Sequence, residues 1–272
     1  MTINCKGTLV DLTRPKVMGI LNVTPDSFFD GGKYKNERDI LEQAEKMLNE
    51  EATFIDVGAY SSRPGAKHIS EEEELQRILP VVELLIKNFP EIIISIDSFR
   101  SRVVEESVNA GAAIINDISG GMMDEQMFKT VAKLQVPYIM MHMKGTPQNM
   151  QQNPQYENVV MEVISFFAEQ LFKLRKLKVN DVIIDVGFGF GKTLDQNYEL
   201  LKKLSLFKSL DAPILTGVSR KSMLYKLLGV TPKEALNATT VANTVALLNG
   251  THILRVHDVK EAIEAVKIVE QL

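Results

Sequence analysis

Eight short apolar runs punctuate the chain: KVMGILN (16–22), TFIDVG (53–58), EIIISID (91–97), AAIIND (112–117), PYIMMH (137–142), DVIIDVG (181–187), PILTGVS (213–219) and HILRVH (252–257). Each is rich in apolar, often β-branched residues and apolar on both faces, the pattern of a strand covered on both sides in a parallel sheet. Amphipathic segments lie between them. Ile40, Leu41, Ala44, Met47 and Leu48 mark one face of the first helix. Ser70 and Glu73 open the next as a capping box, and Pro80 should kink or break it. The helix over 100–110 stops at Gly111, a residue suited to the position past a helix end. Val159, Val163, Phe166, Phe167, Leu171 and Leu174 line a longer helix, and others are expected at 196–209, 234–249 and 260–271.

This alternation predicts a closed (β/α)₈ TIM barrel, with an open doubly wound sheet as the alternative. Residues 2–13 read as a short hairpin over the N-terminal mouth of the barrel. No linker or low-complexity segment divides the chain, so a single domain over 1–272 is expected. Long connections follow three of the runs, at 23–36, 58–70 and 143–157. In a barrel all three would lie on the C-terminal face, where enzymes of this architecture place their active sites.

The runs finish on hydrogen-bonding side chains with unusual regularity. They end on or near Asn22, Asp56, Asp97, Asn116 with Asp117, His142, Asp185, Ser219 with Arg220 and Lys221, and Arg255 with His257. A strand buried on both faces has no intrinsic reason to end that way each time. A helix or turn cap is the plain alternative for Asp56 and Asp117, a packed hydrogen-bonded imidazole for His142, and a structural ion pair for Arg220. His68 and His252 read as structural. Asp97, Asn116 and Asp185 should converge, with acids and acceptors on one side of the mouth and cations on the other. Such a mouth suits a substrate with a donor-rich heterocycle at one end and an anion, such as phosphate, at the other. Ser222 should lie near a helix N-terminus, a ready anion site.

The glycine-rich stretch GFGFGKT (187–193) fails the Walker A spacing, which requires glycine where Val186 stands. It reads instead as a flexible loop that projects Phe188 and Phe190. DGG (30–32), with Phe28 and Phe29 before it, makes the first loop a candidate lid.

Composition narrows the class. The 272 residues are 45% apolar and 24% charged, with formal net charge −4, so no basic surface for nucleic acid is expected. Cys5 is the only cysteine, which excludes an intrachain disulfide and a cysteine-built zinc site. No apolar run approaches the ~20 residues of a membrane span, and the first residues lack the pattern of a signal peptide. A cytoplasmic protein without membrane or nucleic-acid partners is expected.

The stretches MGILNVTPDSFFDGG (18–32), DVGAYSSRPGA (56–66), SIDSFR (95–100), INDISGG (115–121), DVGFGFGKT (185–193), GVSRKS (217–222) and RVHDV (255–259) together resemble the dihydropteroate synthase family. The resemblance runs in order through seven strand–loop junctions. It implies a barrel enzyme, a transferase of folate synthesis, that joins 6-hydroxymethyl-7,8-dihydropterin pyrophosphate to p-aminobenzoate. It places Asp97, Asn116, Asp185 and Lys221 at the pterin, and Asn22, Arg63, Arg255 and His257 at the pyrophosphate. Asn22 is also associated with a magnesium ion. Phe28, Ser62, Pro64, Phe190, Lys221 and Ser222 would enclose the arylamine acid. Asp97, Asp185, Lys221, Arg255 and His257 would carry the chemistry, by an SN1-like substitution. The resemblance further implies a homodimer, with the apolar C-terminal helices as an interface, and a target for sulfonamides. Two departures bear on the arylamine pocket: Ser-Ser-Arg-Pro stands where Ser-Thr-Arg-Pro is usual, and Val186 where proline is common, a change expected to loosen its loop. A methyltetrahydrofolate-dependent methyltransferase and a pterin-binding module without catalysis are the rival readings. The first has no use for Arg63, the SRKS stretch or the Arg255–His257 pair.

Overall fold

The computed structural model describes residues 1–23, 33–60 (backbone only at 33–36), 68–147, 149–150 and 154–272. Two short strands, β1 (Thr2–Cys5) and β2 (Thr8–Asp11), pair antiparallel. Eight strands follow: β3 (Lys16–Asn22), β4 (Phe54–Gly58), β5 (Ile94–Asp97), β6 (Ile114–Asp117), β7 (Tyr138–Met141), β8 (Val182–Asp185), β9 (Ile214–Thr216) and β10 (Ile253–Val256). They pair parallel in chain order, and β10 closes on β3. The expected (β/α)₈ barrel is therefore the observed one, and the open sheet is excluded. Nine α-helices alternate with these strands among the described residues: α1 (Lys33–Asn49), α2 (Glu71–Asn88), α3 (Ser101–Asn109), α4 (Met127–Leu134), α5 (Val159–Lys176), α6 (Leu194–Lys202), α7 (Ser222–Leu228), α8 (Leu236–Leu248) and α9 (Val259–Val269).

The period-two alternation of the strands divides the core. One set of side chains, including Val17, Ile55, Val57, Ile94, Ile96, Ile115, Ile184 and Leu254, packs outward against the helices. The other set points into the barrel. Met18, Phe54, Ile114, Ile139, Ile183, Leu215 and Ile253 form its apolar floor. Ile3, Cys5, Val10 and Leu12 of the hairpin join that cluster, and Asn4 N–H donates to Asp181 Oδ2 at 2.9 Å just before β8. The hairpin covers the N-terminal end, as expected. Two residues further along each strand, still facing inward, stand Asp56, Asn116, Asp185 and Arg255, with Asp97 at the same level on β5. Strands that look uniformly apolar thus present an apolar floor and a polar ceiling to one interior.

Some boundaries differ from the sequence reading. Pro80 lies inside α2 without ending it. Pro80 lies on the exposed side, facing solvent, while Leu75, Ile78, Val82 and Leu85 hold the helix on the barrel. The expected helix 196–209 divides into α6 and a 3₁₀ segment, Leu204–Leu210. Leu204 and Phe207 are both buried there, and 3₁₀ winding aligns residues three apart. α1 already begins at Lys33, so the first long connection is shorter than expected. β4 runs two residues past Asp56, which lies within the strand and not at its end.

Candidate active site

The polar ceiling is tightly interconnected. Asp56 Oδ2 accepts from Arg255 Nε at 2.6 Å and from Asn116 Nδ2 at 3.0 Å. Arg255 Nη2 donates to Asp97 Oδ2 at 2.7 Å. Gly217 of the β9–α7 connection leaves the centre open: a Cβ there would stand 3.8 Å from Arg255 Cβ and 3.9 Å from both Asp185 Oδ2 and Lys221 Nζ. Six side chains from β4, β5, β6, β8, β10 and the start of α7 therefore border one hollow. Asp97, Asn116, Asp185, Lys221 and Arg255, expected to converge, do so.

The charges are not sorted as expected, with acids on one side and cations on the other. Arg255 lies among the acids because desolvated carboxylates on neighbouring strands need a cation between them. Burial pushes Asp97 up to about 7, against the pull of Arg255 and with help from Asp56. Burial likewise raises Asp185, opposed first by Lys221. Lys221 is lowered to about 8 by burial, while Asp185 pulls it upward. Burial thus outweighs pairing for both acids.

The β8–α6 loop is braced, not flexible. Lys192 Nζ is buried and donates to the carbonyls of Gly187 (2.9 Å), Phe190 (2.9 Å) and His142 (3.2 Å), with His142 Nδ1 at 3.1 Å. Gly187 N–H donates to Asp185 Oδ1 at 2.8 Å, and Gly189 N–H to Asn197 Oδ1 at 2.7 Å. Gly187 (φ 71°) is required: a Cβ there would lie 1.9 Å from His142 O. Phe188 is fully buried in the outer core and does not project. Val186 is also fully buried, so the freedom expected from its replacing proline is not available to it. Phe190 does face the mouth, packing on a small cluster with Tyr60, Phe99, Ile118 and Met141, and its ring lies 4.8 Å from Lys221 Nζ. Lys221 Nζ donates to Phe188 O at 2.5 Å.

The remaining candidates separate cleanly. His257 is exposed at the rim, with Nδ1 3.0 Å from Ser219 Oγ, which also accepts from His257 N–H at 3.1 Å. Ser222 opens α7 and is half-buried. Asn22 ends β3, half-buried, its side chain hydrogen-bonded to no other described residue. Phe28, Ser62, Arg63 and Pro64 lie outside the described residues.

The structural readings hold for several others. Asp117 faces away from the mouth and accepts from Tyr138 Oη, Ser119 N–H and Gly121 N–H, each at 2.7 Å. Arg220 pairs with both oxygens of Asp258 at 2.8 and 2.9 Å. His142 is packed against Phe166 and Phe167 and held neutral, lowered to about 2 by burial and then by Lys192. His68 joins Tyr60 Oη at 3.2 Å, and His252 Nδ1 accepts from Ile214 N–H at 3.0 Å.

Sequence reasoning missed two residues of this site. The sequence leaves Asp56 open between cap and site; its parity with the floor residue Phe54 and its place one strand from Asp97 are the signals that assign it to the interior. Lys192 stands in the sequence only within the glycine-rich stretch that fails the phosphate-loop spacing, and nothing in that spacing marks it as a brace.

A family model described as pterin binding enzyme matches residues 18–257. The dihydropteroate synthase of Escherichia coli K12 is 45% identical over 272 residues, covering 99% of this chain and 96% of that relative. That of Haemophilus influenzae is 40% identical over 270 residues, covering 98% of each. Among solved structures, the Yersinia pestis dihydropteroate synthase in a sulfonamide drug complex superposes with TM-score 0.93 at 43% identity, covering 100% of this chain and 98% of the other. The Xanthomonas albilineans dihydropteroate synthase with 4-aminobenzoic acid gives 0.92 at 36% identity, covering 99% and 97%.

Proposed function

Since the chain belongs to the dihydropteroate synthase family of pterin-binding transferases, we propose that it joins 6-hydroxymethyl-7,8-dihydropterin pyrophosphate to p-aminobenzoate, giving 7,8-dihydropteroate and pyrophosphate. The observation that carries this reading is the hollow itself. Two acceptor groups, Asp185 and the Asn116 carbonyl, and one donor, Lys221, surround it above an apolar floor. That set suits a flat ring whose amino and ring N–H groups donate and whose carbonyl accepts.

The transferred carbon is a methylene attached to an electron-rich ring. Its bond to the bridging oxygen breaks first, and the electron pair leaves with pyrophosphate. The cation left behind is conjugated with the ring, where Asp97 and Asp185, ionised, stabilise it in a site shielded from water. The arylamine nitrogen then adds through its lone pair, forms the C–N bond and releases its proton. The amine is neutral near pH 7, so no strong base is required. Arg255 Nη1 has no hydrogen-bond partner among the described residues and is available to the leaving group, His257 stands at the rim just past the same strand, and the family resemblance adds Arg63 as an anion-binding residue. Phe190, with Phe28, Ser62, Pro64 and Ser222, encloses the arylamine, and sulfonamides that imitate it compete there.

Magnesium fits this site as a companion of the substrate. No group of three or more His, Cys, Asp or Glu among the described residues could cage a metal. A hard ion held by phosphate oxygens and water needs little more than one protein oxygen, and the Asn22 amide offers one. When bound, the ion supplies charge neutralisation on the departing pyrophosphate.

The chain acts as a cytoplasmic homodimer in this reading. No helix among the described residues is long and apolar enough to cross a membrane. Exposed Val241, Val245 and Leu248 of α8 and Ile268 of α9 offer the apolar surface for a second copy, and sedimentation would measure the assembly. Catalysis is tested by following pyrophosphate and dihydropteroate with and without p-aminobenzoate. Equimolar release is expected; binding of the pterin without either product would leave only a binding module. Positional isotope exchange tests the order of steps. Scrambling of a bridging ¹⁸O label is expected, and its absence, with no pyrophosphate release unless the arylamine is present, contradicts a dissociative step.

A further inference from the structure

Asp56 lies at the centre of the ceiling, yet none of the functional assignments above includes it. It is fully buried, inward-facing, and two residues above the floor residue Phe54. One oxygen, Oδ2, receives both Arg255 Nε and Asn116 Nδ2. The other, Oδ1, is buried with no hydrogen-bond partner among the described residues. A buried oxygen without a partner is costly, so a side chain kept in that condition calls for a reason beyond filling space.

The bond to Asn116 has a chemical consequence. An Asn amide can ordinarily present either its oxygen or its NH₂ to a ligand, and the two orientations have nearly the same shape. A carboxylate accepts only. Facing Asp56, Asn116 must turn its NH₂ inward, and its carbonyl is left as the group offered to the hollow. The same carboxylate holds Arg255 by Nε, which aims Nη2 at Asp97 on the next strand. Asp97 and Asn116 are themselves opposite one another in the β5–β6 register. One buried carboxylate thereby fixes two neighbours whose own positions are coupled.

We propose that Asp56 is a positioning residue that locks the hydrogen-bond polarity of Asn116, and so makes the site select a ring that presents an N–H donor at that edge over one that presents a carbonyl. This rests on the pterin reading above and adds the origin of its selectivity. Asp56 touches no substrate in this account; it acts through Asn116 and Arg255. A ring with oxygen in place of the 2-amino group would set lone pair against lone pair. In Asp56→Asn the new amide can donate as well as accept. Asn116 is then free to turn over, and the penalty against the 2-oxo ring falls.

The test compares 6-hydroxymethylpterin with 6-hydroxymethyllumazine, its 2-oxo counterpart, by calorimetric titration of the full chain. Wild type should favour the pterin, and Asp56→Asn should shrink that preference by about tenfold or more. General loosening of the site would weaken both ligands and leave their ratio standing. Asn116→Ala should abolish the ratio's dependence on residue 56, since the two positions act as one unit. An unchanged ratio in Asp56→Asn, or a further change when it is added to Asn116→Ala, overturns the inference while leaving the pterin reading intact. Failure of wild type to bind either ring overturns both. Should Asp56→Asn not fold, ¹⁵N spectra of wild type decide. The Asn116 side-chain NH₂ signals should stay protected from exchange and nearly unshifted when the pterin binds; movement to a ligand-bonded position contradicts the lock.

Discussion

Arg255 reaches from β10 to Asp97 on β5, donating through Nη2 at 2.7 Å, while its Nε holds Asp56 at 2.6 Å. One guanidinium serves two carboxylates in a site from which water is largely excluded. Removing it takes from both their shared ion-pair partner. Arg255→Ala is expected to cost about 3–5 kcal/mol of stability near pH 8. The cost should shrink on acidification. Asp97, raised from its ordinary 3.8 to about 7, binds its proton more tightly in the folded chain. Its stabilising contribution is full below the unfolded value and is lost as pH rises through the folded one. Urea denaturation at pH 5 and pH 8 measures both; equal losses at the two values contradict the pairing.

Asp97→Asn keeps the shape of the site and removes one charge from beneath the developing cation. Turnover is expected to fall by roughly 10²–10³, the scale of losing one preorganised electrostatic partner. The circular dichroism spectrum and melting temperature should report a folded barrel. An unchanged rate would remove Asp97 from the mechanism.

The dependence of kcat/KM on pH follows from the same burial. Asp97 must lose its proton near pH 7 to stabilise the cation, and Lys221 must keep its own below about 8 to donate to the ring. The profile for the pterin substrate should be a narrow bell with limbs near those values, which belong to the interacting set. A flat profile from pH 6 to 9 contradicts these assignments.

The barrel was legible because its evidence is repeated. Each strand had its own apolar run, and the floor-and-ceiling arrangement follows from counting by twos along it. Asp97, Asn116 and Asp185 were legible for that reason. What lay hidden was pairing across the interior. Nothing in the spacing says that Arg255 will settle between Asp56 and Asp97, 199 and 158 residues away, because that partnership is fixed by closure of the barrel. The burial of Phe188 and the bracing by Lys192 are hidden for a related reason. A glycine-rich stretch looks mobile in one dimension, and only the folded loop shows that one ammonium holds the carbonyls of Gly187 and Phe190 together with that of His142.

Lys192→Met tests that brace. The carbonyls of Gly187, Phe190 and His142 lose a common donor, and the expected destabilisation is about 2–4 kcal/mol. Phe190 and Lys221, which meet on this loop, should lose their mutual geometry. The KM for p-aminobenzoate should rise more than kcat falls. Thermal melting and steady-state kinetics check the two parts, and a melting temperature equal to wild type contradicts the bracing role.

The most direct measurement is a crystal structure with 6-hydroxymethyl-7,8-dihydropterin pyrophosphate bound. The expected result is a ring lying over the floor residues, its N–H edge within hydrogen-bond distance of Asn116 Oδ1 and Asp185, its carbonyl facing Lys221, and its pyrophosphate directed toward Arg255 and His257. A ring bound elsewhere, or seated in the hollow with its donor edge turned from both acceptors, contradicts the account.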